Sequence, residues 1–111
     1  MALSDERCEA CHPGTPTVHG AELAALKGEL DRGWEVNTDE TRLRRTVRVA
    51  DFGAALAAAV RAGMVAETQG HHPDLTVAWG RLGIELWTHA VGGLTRADFV
   101  LAARLDVALG E

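Results

Sequence analysis

Three histidines are the residues of this sequence best suited to chemistry. His71 and His72 are adjacent, directly before Pro73, and His89 lies at the end of an alternating apolar segment. An imidazole accepts or donates a proton readily near neutral pH, so positioned histidines can act as general acids and bases. Glu67 lies one helical turn before His71, where its carboxylate can orient that ring or raise its basicity. The grouping predicts an acid–base site.

Other interpretations of these side chains remain open. A histidine pair in a loop is often a solvated turn, and a histidine at a strand end is often structural. Three histidines can also hold catalytic zinc, but adjacent rings rarely converge on one ion and the helical HExxH pair is absent. We therefore predict no metal. Trp79 and Trp87 are candidate flat walls for an aromatic ligand, although a tryptophan on a strand, Trp34 above all, is usually part of the core.

A second chemical pattern lies near the N-terminus. The segment Cys8-Glu9-Ala10-Cys11-His12 matches the CxxCH attachment motif of a c-type haem. The surrounding residues are polar, whereas a haem needs an apolar pocket. The first residues also carry acids where a secretory signal is basic and then apolar. The preferred interpretation of the motif is two free thiols. The second interpretation is a redox or weak metal-binding site.

Length and composition limit the possible functions. The 111 residues are enough for one domain with a modest core. Apolar residues make up 47% and charged residues 24%, which is ordinary for a globular protein. The net charge of −5 argues against a nucleic-acid-binding surface, and the longest apolar run is too short to cross a membrane. We expect a cytoplasmic protein with a small ligand or a protein partner.

The elements that position the histidines follow from hydrophobic periodicity. Residues 1–20 form an irregular arm, and 21–111 form a single domain. Paired strands with short connections favour an α+β fold, in the order α-β-β-α-β-β-α, with a four-stranded antiparallel sheet and three helices on one face. The predicted elements are helices over 21–32 and 51–70, strands around 34–36 and over 42–49, 75–80 and 82–89, and a helix from 95 onward.

Local signals set the ends and faces of the helices. Gly33 is placed to end the first helix. Asp51 is predicted to cap the second, and Pro73 prevents that helix from continuing. Thr95 with Asp98 three residues later resembles a capping box at the third. The long second helix is expected to turn an apolar stripe to the core, made of Phe52, Leu56, Ala59, Val60, Met64 and Val65.

Several motifs from Gly33 onward occur together, and in combination they are specific. They resemble those of the pterin-4a-carbinolamine dehydratases, and the CxxC arm looks like that of many bacterial members. Asp51-Phe52 and the Ala-rich helix after it also fit. The motifs are Glu67-x3-His71-His72-Pro73-Asp74, then Trp79, Thr88-His89, Gly93-Leu94-Thr95-x2-Asp98 and Leu101-Ala102.

The resemblance implies a lyase that dehydrates 4a-hydroxytetrahydropterin to quinonoid dihydropterin. This step recycles tetrahydropterin for an aromatic amino acid hydroxylase, with no metal and no bound cofactor. The resemblance also implies dimers or tetramers, and animal members also bind a homeodomain transcription factor. The implied active-site histidines are His71, His72 and His89, and the implied supporting residues are Glu67, Trp34, Pro73, Asp74, Trp79, Thr88 and Asp98.

Loss of water from a carbinolamine needs one proton delivered to the departing hydroxyl and one removed from a ring nitrogen. We predict His71 and His89 as the acid–base pair and His72 as the residue that orients the substrate. The second hypothesis is a non-catalytic dimeric assembly factor or transcriptional coactivator on the same fold, which needs no histidine triad. An uncovered sheet edge also predicts a homodimer or homotetramer.

Overall fold

The computed structural model describes residues 2–110 and confirms the predicted α+β fold and the order of its elements. A short 3-10 turn over Leu3–Asp5 precedes them. The elements are α1 (Gly20–Lys27), β1 (Glu35–Val36), β2 (Leu43–Arg48), α2 (Phe52–Gln69), β3 (Asp74–Ala78), β4 (Arg81–Leu86) and α3 (Arg96–Leu109).

The four strands form one antiparallel sheet in the order β1-β2-β4-β3. Leu43 of β2 pairs with Leu86 of β4, and both side chains are buried under the helices. Alternate β2 residues, such as Arg44, are exposed on the other face of the sheet. Within residues 2–110, no helix has the length and hydropathy needed to cross a membrane.

The face of helix α2 that meets the core matches the predicted stripe only at Ala59, which is buried, and at Val65, which is partly buried and packs against the core. Asp51 caps it as expected, accepting a hydrogen bond from the Ala54 N–H at 2.8 Å. Small side chains make the close contact with the core, whereas four of the larger apolar ones are about half exposed or more. The buried residues are Ala55, Ala58, Ala59, Ala62 and Ala66, and the exposed ones are Phe52 (50%), Leu56 (49%), Val60 (58%) and Met64 (62%).

Helix α1 is shorter than predicted. It ends at Lys27, and Gly28 rather than Gly33 caps its C-terminus. Glycine lowers helix propensity by about 1 kcal/mol, which is enough to end a helix of two turns. The chain then continues in turns, in which Leu30 is still buried. The leucine spacing therefore located a buried segment correctly but overestimated the length of its helix.

Trp34 and Arg45 belong to a buried polar cluster built on Asp106 of α3. The indole N–H of Trp34 donates to Asp106 Oδ1 at 2.8 Å, and the Arg45 guanidinium donates to the same oxygen at 2.5 Å. The backbone N–H of Asp31 donates to Asp106 Oδ2 at 2.9 Å. Arg45, the charged residue on the apolar face of β2, is tolerated there because a carboxylate meets it.

Replacing Asp106 with asparagine is expected to lower the free energy of unfolding by about 1–3 kcal/mol, since the buried guanidinium of Arg45 loses its carboxylate partner at 2.5 Å, while Asp31 stays at 3.6 Å. Urea denaturation followed by circular dichroism measures the change. The matched control is Asp39→Asn, at an exposed turn, which should stay within about 0.5 kcal/mol of the wild type. Equal stability of both variants would contradict the assignment.

The N-terminal arm packs against α3 although it has little regular structure. Leu3 and Val18 are buried in the hydrophobic core. The carboxylate of Glu6 accepts two hydrogen bonds from Arg96, at 2.9 and 2.7 Å, and this guanidinium lowers the pKa of Glu6. The Arg104 side chain donates to the Glu6 carbonyl at 2.7 Å. The arm is therefore anchored at Leu3 and Glu6.

Candidate active site

The end of α2 separates the two adjacent histidines. Gly70 adopts a left-handed conformation with φ of 63°, which glycine reaches without steric cost, and the His71 N–H bonds back to the Ala66 carbonyl at 3.4 Å. Pro73 follows and the chain enters β3. As a result, the His71 side chain is only 12% exposed, whereas that of His72 is 61% exposed.

A buried carboxylate holds His71. Asp98 is fully buried, and its Oδ1 lies 2.6 Å from Nε2 of His71. Its Oδ2 accepts from the Thr88 hydroxyl at 2.7 Å and from the Thr95 N–H at 2.9 Å. Because carboxylate oxygens only accept, Nε2 of His71 carries a proton and Nδ1 is the nitrogen available for proton transfer. The predicted capping box is confirmed, and its acid also orients an imidazole.

Glu67 contacts His72, not His71 as the helical spacing predicted. Its Oε1 lies 2.9 Å from Nε2 of His72. The prediction assumed that the helix continues to His71, four residues after Glu67. The left-handed Gly70 ends the helix before His71, so the two side chains are not neighbours on one helix face. The Glu67 and His72 side chains are 73% and 61% exposed, so the pair contributes little to stability.

His89 stacks on Trp87. The two ring centroids are 4.3 Å apart at an interplanar angle of 25°. The guanidinium carbon of Arg42 lies 4.2 Å from the centroid of the Trp87 ring. Thr88, which lies between Trp87 and His89 in the chain, is buried, and its hydroxyl donates to Asp98. The alternation of β4 therefore continues past its last paired residue, and it places the indole and the imidazole on one side.

The three histidines line a single pocket of about 320 Å³. The end of α2, the segment after β4 and the arm meet there, with Trp87 as one wall and Cys11 at another. Small-molecule sites have volumes of about 300–1,000 Å³, so the pocket is large enough for a flat bicyclic ligand. It combines three groups that can transfer protons with an aromatic surface.

Of the seven predicted supporting residues, Thr88 lines this pocket, Glu67 and Asp98 hydrogen-bond to its histidines, and the other four do neither. Trp34 contacts Asp106, eight residues along α3 from Asp98, or about 12 Å by helical rise. Trp79 lies at the tip of the β3–β4 hairpin and is 73% exposed. Asp74 begins β3 opposite Glu85, and Pro73 acts through the path of the chain. The predicted supporting residues that contact a histidine or its anchor are Glu67, Thr88 and Asp98.

The arm also contributes to the pocket, which the sequence did not predict. Glu9 and Cys11 line the pocket about sixty residues before its first histidine, and no local pattern signals that contact. Both cysteines are free thiols. Burial raises the pKa of the Cys8 thiol to about 11. Two residues of the CxxCH motif, Glu9 and Cys11, therefore line the candidate site.

The contacts of the three histidines are relevant to the alternative interpretation, in which they bind a zinc ion. Nε2 of His71 and Nε2 of His72 contact two different carboxylates, and His89 stacks on an indole. Within residues 2–110, no group of three or more histidines, cysteines and acids is arranged to hold a metal ion.

Comparison with known proteins identifies the family. A sequence model described as pterin 4 alpha carbinolamine dehydratase matches residues 16–108. The chain belongs to this family. This membership confirms the resemblance drawn from the motifs, and it extends the match upstream of Gly33 into the arm.

Bacterial members of the dehydratase family match nearly the whole chain. The relatives from Gloeobacter violaceus and Rubrobacter xylanophilus are each 45% identical, over 96% and 94% of this chain and 92% and 95% of their own lengths. The relative from Chlorobium limicola is 48% identical over 92% of this chain and 91% of its own. All three carry the provisional name pterin-4-alpha-carbinolamine dehydratase.

A solved structure shares the dehydratase fold. The crystal structure of a transcriptional coactivator/pterin dehydratase from Brucella melitensis superposes with a TM-score of 0.77 at 26% identity. The superposition covers 86% of this chain and 100% of the other.

Proposed function

We propose that this protein dehydrates 4a-hydroxytetrahydropterin to quinonoid dihydropterin. The observation that carries the proposal is the anchoring of His71 by the buried carboxylate of Asp98, in a pocket that His72 and His89 also line. Membership of the dehydratase family supports the same reaction. We further propose that the reaction recycles tetrahydropterin for an aromatic amino acid hydroxylase.

The reaction matches the proton-transfer capacity of the pocket. The bond from the carbinolamine carbon to its hydroxyl breaks, the hydroxyl leaves as water with a proton from an acid, and a base removes a proton from the ring nitrogen. His71 and His89 serve as this pair. When Nδ1 of His71 takes up a proton, the carboxylate of Asp98 stabilises the resulting imidazolium. No electrons are transferred, so the reaction requires no redox cofactor.

The remaining groups position the substrate. The stacked rings of Trp87 and His89 offer a flat surface for the pterin. His72, held by Glu67 at the rim, orients the substrate rather than exchanging protons with it. The two free thiols suit a reducing compartment, and we propose the cytoplasm.

The test is the dehydration rate of freshly generated 4a-hydroxytetrahydropterin with the protein and in buffer alone. A clear acceleration by the wild type supports the enzyme. Trp79→Leu is the matched control, since Trp79 lies at an exposed hairpin tip, and it should retain the wild-type rate. A wild type no faster than buffer would contradict the proposed activity and leave the coactivator alternative, a role that the name of the Brucella protein includes.

We also propose that the protein is a homo-oligomer that covers the exposed face of α2. Phe52, Leu56, Val60 and Met64 follow one another at intervals of four residues and form a continuous apolar ridge along the helix. An exposed apolar patch of this kind marks an interaction surface. A second copy presents the same ridge and can pack against it around a two-fold axis.

Replacing Leu56 and Val60 together with glutamine is expected to reduce the molar mass in solution to that of one chain. The change places polar groups in the middle of the proposed interface and leaves the alanines that pack on the core intact. Light scattering at micromolar concentration measures the mass. The double variant Ala57→Gln with Arg61→Gln, at exposed positions of α2 outside the ridge, is the control. A monomeric wild type would contradict the proposal.

A further inference from the structure

The arm supplies a wall of the pocket that the proposed dehydration chemistry does not use. Cys11 lines the histidine pocket, and it also lines a neighbouring cavity of about 450 Å³ between the arm and the start of α3. Its thiol therefore borders two spaces that a small molecule can enter. Cys8, three residues earlier, is half-buried and borders neither space.

The two thiols contact different residues at the start of α3. Cys8 Sγ lies 3.5 Å from the Ala97 carbonyl, and its N–H donates to the Gln69 side chain at 3.0 Å. Cys11 Sγ lies 3.8 Å from the Thr95 hydroxyl. The raised pKa of Cys8 makes it a poor nucleophile at neutral pH in this position. Reaction with a small molecule should therefore begin at Cys11.

Cys11 is also connected to the anchor of His71. The hydroxyl of Thr95, which contacts Cys11, lies 2.8 Å from that of Thr88. Thr88 in turn donates to Asp98, whose other oxygen holds His71. A displacement of Cys11 removes one contact from the outer end of this chain of polar groups.

We propose that Cys8 and Cys11 form a reversible thiol–disulfide modification site for low-molecular-weight disulfides such as oxidised glutathione, and that closing their bond withdraws the arm from the histidine pocket. The effect on turnover rests on the proposed function, whereas formation of the disulfide does not.

The reaction balances as two exchanges. The Cys11 thiolate attacks one sulfur of the small disulfide, that S–S bond breaks, and one small thiol leaves with the proton that Cys11 lost. The Cys8 thiolate then attacks Cys11 Sγ in the mixed disulfide, and the second small thiol leaves with the proton from Cys8. Two protein thiols are oxidised to one disulfide, and one small disulfide is reduced to two thiols. Excess small thiol reverses both exchanges.

The bond requires the arm to bend. A disulfide needs Cα atoms about 4.4–6.8 Å apart, which over a Cys-x-x-Cys spacing requires a turn. Residues 7–12 contain no turn, and the two thiols have separate partners. Glu6 is anchored by Arg96 and Arg104, so the segment after it, which carries both cysteines, is the part that moves, and Cys8 leaves the buried position that raises its pKa. That movement takes Cys11 out of its position between the two cavities.

The first test is intact mass after incubation with oxidised glutathione and quenching with N-ethylmaleimide. The wild type should become a chain lighter by two hydrogens, and dithiothreitol should reverse the change. Cys8→Ser should stop as a glutathione adduct at Cys11, and Cys11→Ser should form its adduct about tenfold more slowly. Absence of the lighter species, or a disulfide between two chains, would overturn the proposal.

The second test follows the imidazole signals of His71 and His89 by NMR. They should shift when the wild type is oxidised and return on reduction, while the Cys8→Ser/Cys11→Ser double variant treated in the same way should not change. Unshifted signals in a fully oxidised chain would overturn the link to the pocket. Neither test uses a pterin, so failure of the dehydration assay and failure of this inference are distinguishable.

Discussion

Replacing His71 with alanine is expected to slow dehydration of 4a-hydroxytetrahydropterin by a factor of about 100 to 10,000, the usual contribution of a general acid or base. His71 is the histidine whose proton position is fixed, because Nε2 donates to Asp98 at 2.6 Å. Alanine removes the proposed proton-transfer group and leaves the other walls of the pocket in place. The rate at saturating substrate measures the loss.

The other histidines separate acid–base chemistry from orientation. His89→Ala should lose a comparable factor in kcat, whereas His72→Ala should mainly raise KM, since its ring lies at the exposed rim. His19→Ala is the matched control, because His19 is exposed and outside the pocket. Retention of the wild-type kcat by His71→Ala would contradict the assigned role. Circular dichroism shows whether a slowed variant is folded.

Replacing Asp98 with asparagine is expected to slow dehydration by a factor of about 100 to 10,000 and to lower the free energy of unfolding by about 1–3 kcal/mol. Two donors, Thr88 and the Thr95 N–H, require an oxygen on one side of this group. The amide oxygen must face them, so the amide nitrogen faces Nε2 of His71. The amide nitrogen is a donor, so Nε2 of His71 must become the acceptor. The ring proton of His71 therefore moves to Nδ1.

The tautomer change has its own readout. Ring-nitrogen shifts of His71 in the NMR spectrum should report a proton on Nε2 in the wild type and on Nδ1 in Asp98→Asn. Glu67→Gln makes the same chemical change at the exposed pair with His72, and its stability should stay within about 0.5 kcal/mol of the wild type. Wild-type rates and shifts in Asp98→Asn would contradict the positioning role.

Most of the fold could be predicted because its signals are local. The alternation of β2 and β4, the cap at Asp51 and the capping box at Thr95 depend on neighbours within a few residues. The order of elements then leaves few arrangements for an antiparallel sheet. The end of α1 was misplaced because a buried leucine in a turn has the same spacing as one in a helix.

The face of α2 could not be predicted from hydrophobicity alone. Large apolar residues and alanines both recur at helical spacing, and only tertiary packing decides which row meets the sheet. Close approach selected the alanines, such as Ala58 and Ala62, and left Leu56 and Val60 exposed. An interface between copies imposes the same apolar pattern as a core, so the two uses look alike in a sequence.

The candidate site was predictable in its histidines and less so in their partners. Spacing along a helix assigned Glu67 to His71, but the partner of His71 is Asp98, which belongs to another helix. Trp79 was counted as a wall because it lies on an alternating segment, yet Trp79-Gly80 forms the hairpin turn. Contacts across the fold, including that of the arm, have no local signal.

The double use of Asp98 couples the opening of a helix end to the order of the site. The carboxylate that accepts the Thr95 N–H is the one that holds His71, so fraying of the first turn of α3 also releases the imidazole. Helix ends normally open at little cost, but this one can open only by breaking a buried network. The exchange rate of the Thr95 amide with deuterated solvent should therefore report how often the His71 imidazole leaves its position.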